Sequence, residues 1–125
     1  MKFPSLAVLL VALALPATAL AHARLVSATP AASATAKPVK VITLNYSERL
    51  TPELSTATLT MTGMPGMANH PDMKMTGVTS AIGPNGTSLV LTLTKPLPAG
   101  SYRVDWMVAG ADTHRVSGAH RFDIG

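Results

Sequence analysis

Residues 57–62 read ATLTMT, a strict alternation of apolar side chains with threonine. Successive side chains of a β-strand point to opposite faces, so Ala57, Leu59 and Met61 fall on one face and the three threonines fall on the other. An amphipathic helix would instead repeat its apolar residues every three or four positions. The stretch therefore predicts a strand with one buried and one exposed face.

The same period of two runs through the rest of the chain after Arg24. Short stretches that are typical of turns separate the alternating segments: TPAAS, SERLTPEL, GPNG, KPLPAG and GADTH. Many short strands with regular turns predict an all-β protein, an immunoglobulin-like antiparallel Greek-key β-sandwich or a small barrel. The residues expected to point inward are Ile42, Leu44 and Tyr46; Leu89, Leu91 and Leu93; Tyr102, Val104, Trp106 and Val108; and His120, Phe122 and Ile124.

The first residues have the features of a secretory signal peptide. Lys2 supplies a positive charge, residues 6–15 form an unbroken apolar run, and small residues precede a cleavage point after Ala21. The apolar run is shorter than the roughly 20 residues that a membrane-spanning helix needs. We therefore expect a signal peptide at 1–21 and a single exported domain at 22–125. A competing cleavage after Ala19 would leave Leu20 as the first residue.

The composition of the domain excludes several classes of function. The sequence has no cysteine, so disulfide bonds and thiolate ligands are both ruled out. Its basic residues are scattered, without a run or interleaved aromatic residues, which gives no support for nucleic-acid binding. No nucleophile elbow or glycine-rich phosphate loop is visible, and Glu48 and Glu53 are interpreted as solvated loop residues.

Residues 61–75, MTGMPGMANHPDMKM, hold five of the seven methionines. Prolines and glycines interrupt this stretch, so a helix cannot continue through it and the methionines are expected on or beside a loop. Thioether sulfur is a soft, neutral donor that selects Cu(I), and one imidazole among the thioethers adds a stronger donor. The cluster therefore favours soft-metal binding.

Methionines also fill irregular cores and form adaptable surfaces, which is the alternative interpretation of this cluster. Met61 continues the inward face of the first strand, so by itself it is expected in the core. Met75 can likewise begin the next strand. The structural alternative does not account for the remaining candidates, Met64, Met67, His70 and Met73.

A second group of candidate ligands lies at the start and near the end of the domain. If cleavage follows Ala21, the free amine and the ring Nδ1 of His22 can chelate Cu(II), which prefers nitrogen and oxygen donors. Asp112 and His114 stand two apart in GADTHRVSG, and on an extended turn such residues project to the same side. Alone, this pair could simply shape a turn. Coupled to a chelating N-terminus, it becomes a candidate Cu(II) site.

Five segments, taken in order, resemble the CopC copper-resistance family: HARLVSATPA, LNYSERLT, LTMTGMPGM, KPLPAGSYRVDW and ADTHRVSG. The resemblance covers essentially all of residues 22–125. It implies a cupredoxin-like β-barrel in the periplasm of a Gram-negative bacterium. The ligands it implies are His22, Asp112 and His114 for Cu(II), and a set drawn from Met61, Met64, Met67, His70 and Met73 for Cu(I).

The residues and the resemblance together predict a periplasmic copper carrier that serves copper homeostasis and resistance and is not an enzyme. Copper, as Cu(II) and Cu(I), is the expected cargo. The expected recipient is an inner-membrane copper transporter of the CopD type or another periplasmic copper protein. One alternative is a histidine-brace copper oxidoreductase, and another is an interaction module whose methionines only pack.

Overall fold

The alternating segments form strands at the expected places. The computed structural model describes residues 22–67 and 69–125, so the predicted signal peptide lies outside the described residues. Within them no helix is long and apolar enough to cross a membrane. The strands are β1 Leu25–Thr29, β2 Thr35–Ala36, β3 Val41–Tyr46, β4 Thr56–Gly63, β5 Met73–Lys74, β6 Val78–Ile82, β7 Ser88–Leu93, β8 Gly100–Ala109 and β9 Arg115–Ile124.

Two sheets pack face to face. The four-stranded sheet has the order β1-β3-β7-β6, and the five-stranded sheet has the order β2-β9-β8-β4-β5. The pairing is antiparallel, as predicted, with one exception: the two-residue strand β2 lies parallel to β9. A single turn of 3₁₀ helix, Pro52–Leu54, follows β3. The prediction of a Greek-key β-sandwich is confirmed.

The core forms between the sheets from the faces that the alternation selects. Ala57, Leu59 and Met61 are buried, and so is every other residue predicted to point inward, including His120. The ring Nε2 of His120 lies 2.8 Å from the carbonyl oxygen of Pro30 and donates to it, which satisfies a polar group inside the sandwich. His120 is thus a core residue, as the sequence indicated.

Strand β8 separates the two ligand-rich parts of the chain. Its first residues pair with the end of β4, where the methionine stretch begins, and its last residue leads into the turn that carries Asp112 and His114. Because β8 is ten residues long and a strand rises about 3.3 Å per residue, the two parts lie about 30 Å apart. They occupy opposite ends of the sandwich.

Candidate metal centres

The N-terminal end of the domain brings three predicted ligands into one cluster. The ring Nδ1 of His22 donates to Oδ2 of Asp112 at 2.9 Å, although the two residues are 90 positions apart. The rings of His22 and His114 stack with centroids 4.3 Å apart and planes inclined by 25°. We call His22, Asp112 and His114 the N-terminal cluster.

The position of His22 follows from the residues after it. Ala23 is buried in the core, and Arg24 exchanges two hydrogen bonds with Ser47 at the end of β3. These contacts hold the start of the chain against the sandwich. The imidazole of His22, one residue earlier, therefore lies against the β8–β9 turn, and about half of it is exposed.

The turn that carries Asp112 and His114 is tighter than the extended form we expected. Thr113 has a positive φ of 61°, and its N–H donates to the carbonyl of Gly110 at 3.0 Å. The side chain of Asp112 accepts the N–H of His114 at Oδ1, 3.1 Å away, which leaves Oδ2 for His22. This bond from the aspartate side chain to the backbone two residues on is an Asx-turn, which stabilises the turn.

The same contacts control the charge of Asp112. The backbone hydrogen bond from His114 lowers the pKa of the Asp112 carboxyl below its usual value, and the hydrogen bond from His22 acts in the same direction against partial burial. The carboxylate is therefore ionised at neutral pH, which is the state that binds a cation.

The N-terminal cluster has the donor atoms that suit Cu(II), but these atoms are not yet arranged around a metal position. Two imidazoles and a carboxylate are the donors that Cu(II) prefers. However, the described residues contain no group of three or more His, Asp or Glu side chains already arranged to hold a metal ion. At this end the two rings stack and the Nδ1 of His22 is hydrogen-bonded to Asp112. A metal would have to replace that hydrogen bond.

At the other end of the sandwich, the methionines divide into two groups. Met64, Met67 and Met73 are 41%, 51% and 48% exposed, whereas Met61 is 2% exposed and belongs to the core. Met75 is half-buried and packs against the core. The sequence had anticipated both of these core positions.

A tight turn brings two exposed methionines together. The N–H of Met67 donates to the carbonyl of Met64 at 3.2 Å, Pro65 is the second residue of the turn, and Gly66 has a φ of +78°. Proline followed by a residue with positive φ is the signature of a type II turn, in which the first and fourth Cα atoms lie within about 7 Å. Met64 and Met67 also line a cleft of about 450 Å³ beside Ser101 and Ile124.

The rest of the loop returns to the sheet beside the same strand. Met73 in β5 pairs directly with Met61 in β4, so the two side chains share one face of the sheet at its edge. The Nδ1 atom of His70 is buried and has no hydrogen-bond partner in the described part of the chain. A buried imidazole nitrogen normally has a partner, so this atom is consistent with a ligand that binds between the loop and the sheet.

Two features of these ends were not found from the sequence. The carboxylate of Glu48, which the sequence suggested was a solvated loop residue, occupies the space that a side chain on Gly110 would need. It therefore packs against the turn of the N-terminal cluster. Arg103 binds Asp72 in residues 61–75, which we call the methionine loop, and Asp105 on its own strand. The i, i+2 spacing of Arg103 and Asp105 could have indicated the contact between them, but the other contacts depend on how segments far apart in the chain meet.

Comparison with known proteins supports the family that the motifs resemble. A family model described as the CopC domain matches residues 25–125. Copper resistance protein C from Escherichia coli is 46% identical over 108 residues, which cover 86% of this chain and 84% of that protein. Copper resistance protein C from Xanthomonas campestris pv. juglandis is 44% identical over 108 residues, with the same coverage.

The chain belongs to the CopC family. Its fold agrees with the crystal structure of PcoC, described as a methionine-rich copper resistance protein from Escherichia coli, with a TM-score of 0.76 and 40% identity over 84% of this chain and 100% of that one. CopC from Methylosinus trichosporium OB3b has a TM-score of 0.60 at 23% identity, over 82% of this chain and 93% of that one, and shares the fold.

Membership of the CopC family makes the chain a copper-binding protein of the copper-resistance class. PcoC is described as methionine-rich, and this CopC family member has its own methionine-rich stretch at residues 61–75. The family match begins at residue 25 and therefore does not include His22. The match therefore gives no information about His22, and the candidate ligands have to be assigned from the geometry of the two ends of the sandwich.

Proposed function

We propose that this protein is a periplasmic copper carrier whose mature chain, residues 22–125, begins at His22. In this proposal copper is cargo: Cu(II) binds at the N-terminal cluster, Cu(I) binds in the methionine loop, and the metal is then passed to a partner. The observation that carries the proposal is the meeting of His22, Asp112 and His114 at the opposite end of the sandwich from the exposed methionines.

The N-terminal cluster supplies the donors for Cu(II). A free amine on His22 would add a third nitrogen to the two imidazoles, and the ionised Asp112 would add an oxygen and a negative charge. Nitrogen and oxygen donors of this number suit tetragonal Cu(II). Glu48, packed against Gly110, provides a second carboxylate at the same end.

The methionine loop supplies the donors for Cu(I). Met64, Met67 and Met73 are accessible, and His70, whose Nδ1 has no hydrogen-bond partner among the described residues, adds an imidazole. Met61 is less favoured as a ligand because it is 2% exposed and its side chain fills the core. Neutral soft donors hold Cu(I) and lose their advantage once the metal is oxidised, so the oxidation state would determine which end holds copper.

The expected recipient is an inner-membrane copper transporter of the CopD type or another periplasmic copper protein. Exposed methionines form adaptable contact surfaces, so the loop that holds Cu(I) would also contact the recipient. No catalytic step is required for this role.

The alternative, a histidine-brace copper oxidoreductase, has less support. Such an enzyme needs an exposed surface that binds its substrate, but Tyr46, Tyr102 and Trp106 are buried in the core. Asp112 is hydrogen-bonded to His22, and as a copper ligand it would occupy coordination space that oxygen activation needs.

A crossed pair of variants tests the proposal. The mature protein is isolated from its secretion route, its first residue is determined by mass spectrometry, and both copper ions are titrated in competition with chelators. His22→Ala should weaken Cu(II) binding by more than the about 10- to 100-fold that outer-shell partners alone contribute, and should leave Cu(I) binding unchanged. His70→Ala removes an imidazole from the methionine loop, so it should weaken Cu(I) binding and leave Cu(II) binding unchanged. Equal Cu(II) affinity in wild type and His22→Ala would exclude the N-terminal site.

A further inference from the structure

The methionine loop contains one residue that does not suit a Cu(I) site. Asp72 lies between His70 and Met73 and is the only carboxylate in residues 61–75. Carboxylate oxygen is a hard donor that favours Cu(II) and other borderline or hard cations over Cu(I). A carboxylate two residues from an imidazole would therefore work against the selectivity of the thioethers.

Arg103 forms an ion pair with this carboxylate. Its Nη1 donates to Oδ2 of Asp72 at 3.1 Å, and its Nε donates to both oxygens of Asp105 at 3.0 Å. Asp105 thus fixes the guanidinium from its own strand while Nη1 binds Asp72. The side chain of Arg103 is 22% exposed, so the guanidinium is partly shielded from water.

The register of the sheet explains how Arg103 reaches the loop. Thr60 in β4 pairs with Arg103 on one side and with Lys74 in β5 on the other, and Asp72 directly precedes β5. Arg103 therefore extends across β4 toward Asp72 on the outer face of the sheet. Thr60 points to that outer face and is nevertheless buried, as expected if neighbouring side chains cover it.

We propose that Arg103 is a specificity-determining residue: by pairing with Asp72, it keeps the only carboxylate of the methionine loop out of the copper coordination sphere and makes the loop selective for Cu(I). This inference rests on the proposed Cu(I) site. Arg103 acts through Asp72 and does not itself bind the metal. The pair adds little to the stability of the fold, because Asp72 is mostly exposed and exposed ion pairs contribute little.

The test compares the loop's affinities for the two copper ions. All variants carry His22→Ala and His114→Ala, so that the loop is the remaining candidate site. Releasing Asp72 with Arg103→Gln should raise the affinity of the loop for Cu(II) by about 10-fold, the lower end of the effect of outer-shell partners, while Cu(I) affinity changes far less. The electron paramagnetic resonance spectrum of the Cu(II) form should show a new oxygen donor.

Three further variants distinguish selectivity from a general structural effect. Adding Asp72→Asn to Arg103→Gln should restore the original ratio of affinities, because the carboxylate is then absent. Arg103→Lys keeps a cation and should retain most of the selectivity. Arg121→Gln removes the arginine that pairs with Arg103 in the neighbouring strand and should change nothing.

The results separate this inference from the function on which it rests. If the background variant binds no Cu(I), the proposed loop site and the role of Arg103 both fail. If it binds Cu(I) normally but Arg103→Gln and Arg121→Gln have the same ratio of affinities, only the role of Arg103 fails. Thermal unfolding of each variant verifies that the sandwich is intact.

Discussion

At the scale of single residues, the same kind of side chain has different roles in different surroundings. Asp112 is held by the backbone N–H of His114 and by the ring of His22, so its charge is fixed where two imidazoles meet. Asp72 is held by Arg103, which in our proposal keeps it from copper bound by the methionines. Among the histidines, His120 is buried in the core and hydrogen-bonded to Pro30, whereas His22 remains half exposed.

Replacing Asp112 by Asn should weaken Cu(II) binding without unfolding the domain. The amide keeps the shape of the side chain but loses the negative charge, so Cu(II) affinity should fall at least about 10-fold, the lower end of the loss caused by changes around a metal. Chelator competition measures the change. Asp123→Asn, which removes an exposed carboxylate from β9, is the control and should bind as the wild type does.

The two tyrosines should respond differently to loss of the hydroxyl. Tyr102 is buried and donates to the carbonyl of Pro98 at 2.6 Å, so Tyr102→Phe should lower the free energy of unfolding by about 1 to 2 kcal/mol. The hydroxyl of Tyr46 is buried without a partner among the described residues, so Tyr46→Phe should be neutral or stabilising. Urea denaturation measures both changes. Equal losses in the two variants would contradict the assignment of the Tyr102 hydrogen bond.

At the scale of elements, the turns determine which side chains meet at each end of the sandwich. The β8–β9 turn is shaped by Thr113 and the aspartate before it, and the β4–β5 connection begins with the turn at Pro65 and Gly66. In both turns one residue has a positive φ, and in both the turn brings candidate ligands together. The strands fix where each turn is, and the turn fixes which side chains meet.

Gly66→Ala should therefore weaken Cu(I) binding by acting on the backbone. Apart from its two chain neighbours, no described residue has an atom within 4 Å of the position that a Cβ on Gly66 would take, so the change creates no clash among the described residues. Alanine would have to adopt the positive φ of 78°, which costs about 1 to 2 kcal/mol for a residue with a side chain. Anaerobic Cu(I) competition should show a loss of about 5- to 30-fold if that cost falls on the bound loop, since 1.4 kcal/mol corresponds to tenfold.

Gly66→Asn is the matched control, because asparagine tolerates the left-handed conformation. It should bind Cu(I) nearly as well as the wild type. If both variants bind equally weakly, the loss comes from the added side chain and not from the turn.

At the scale of the whole molecule, the alternation of apolar residues predicted most of the fold, whereas the candidate ligands were predicted from the methionine stretch, the expected first residue and the Asp112–His114 spacing. It identified the buried faces, including His120, because a period of two is imposed by the strand itself. It could not predict the parallel pairing of β2, which is two residues long and too short to carry a pattern. Contacts such as that of Asp72 with Arg103 depend on how a loop meets a strand distant in the sequence, and no local pattern encodes that.

The distance between the two ends leads to a last prediction: the sites should bind copper independently. They lie about 30 Å apart along β8, and charges on the surface are screened within about 8 Å at physiological ionic strength. Structural perturbations at sites more than about 10 Å apart without shared partners are usually additive. We therefore expect Cu(II) affinity, measured anaerobically by chelator competition, to differ by less than about twofold between the Cu(I)-loaded and the copper-free protein. A change of tenfold or more would mean that the sheet transmits the occupancy of one end to the other, and the same coupling would then have to appear in Cu(I) affinity when Cu(II) is bound first.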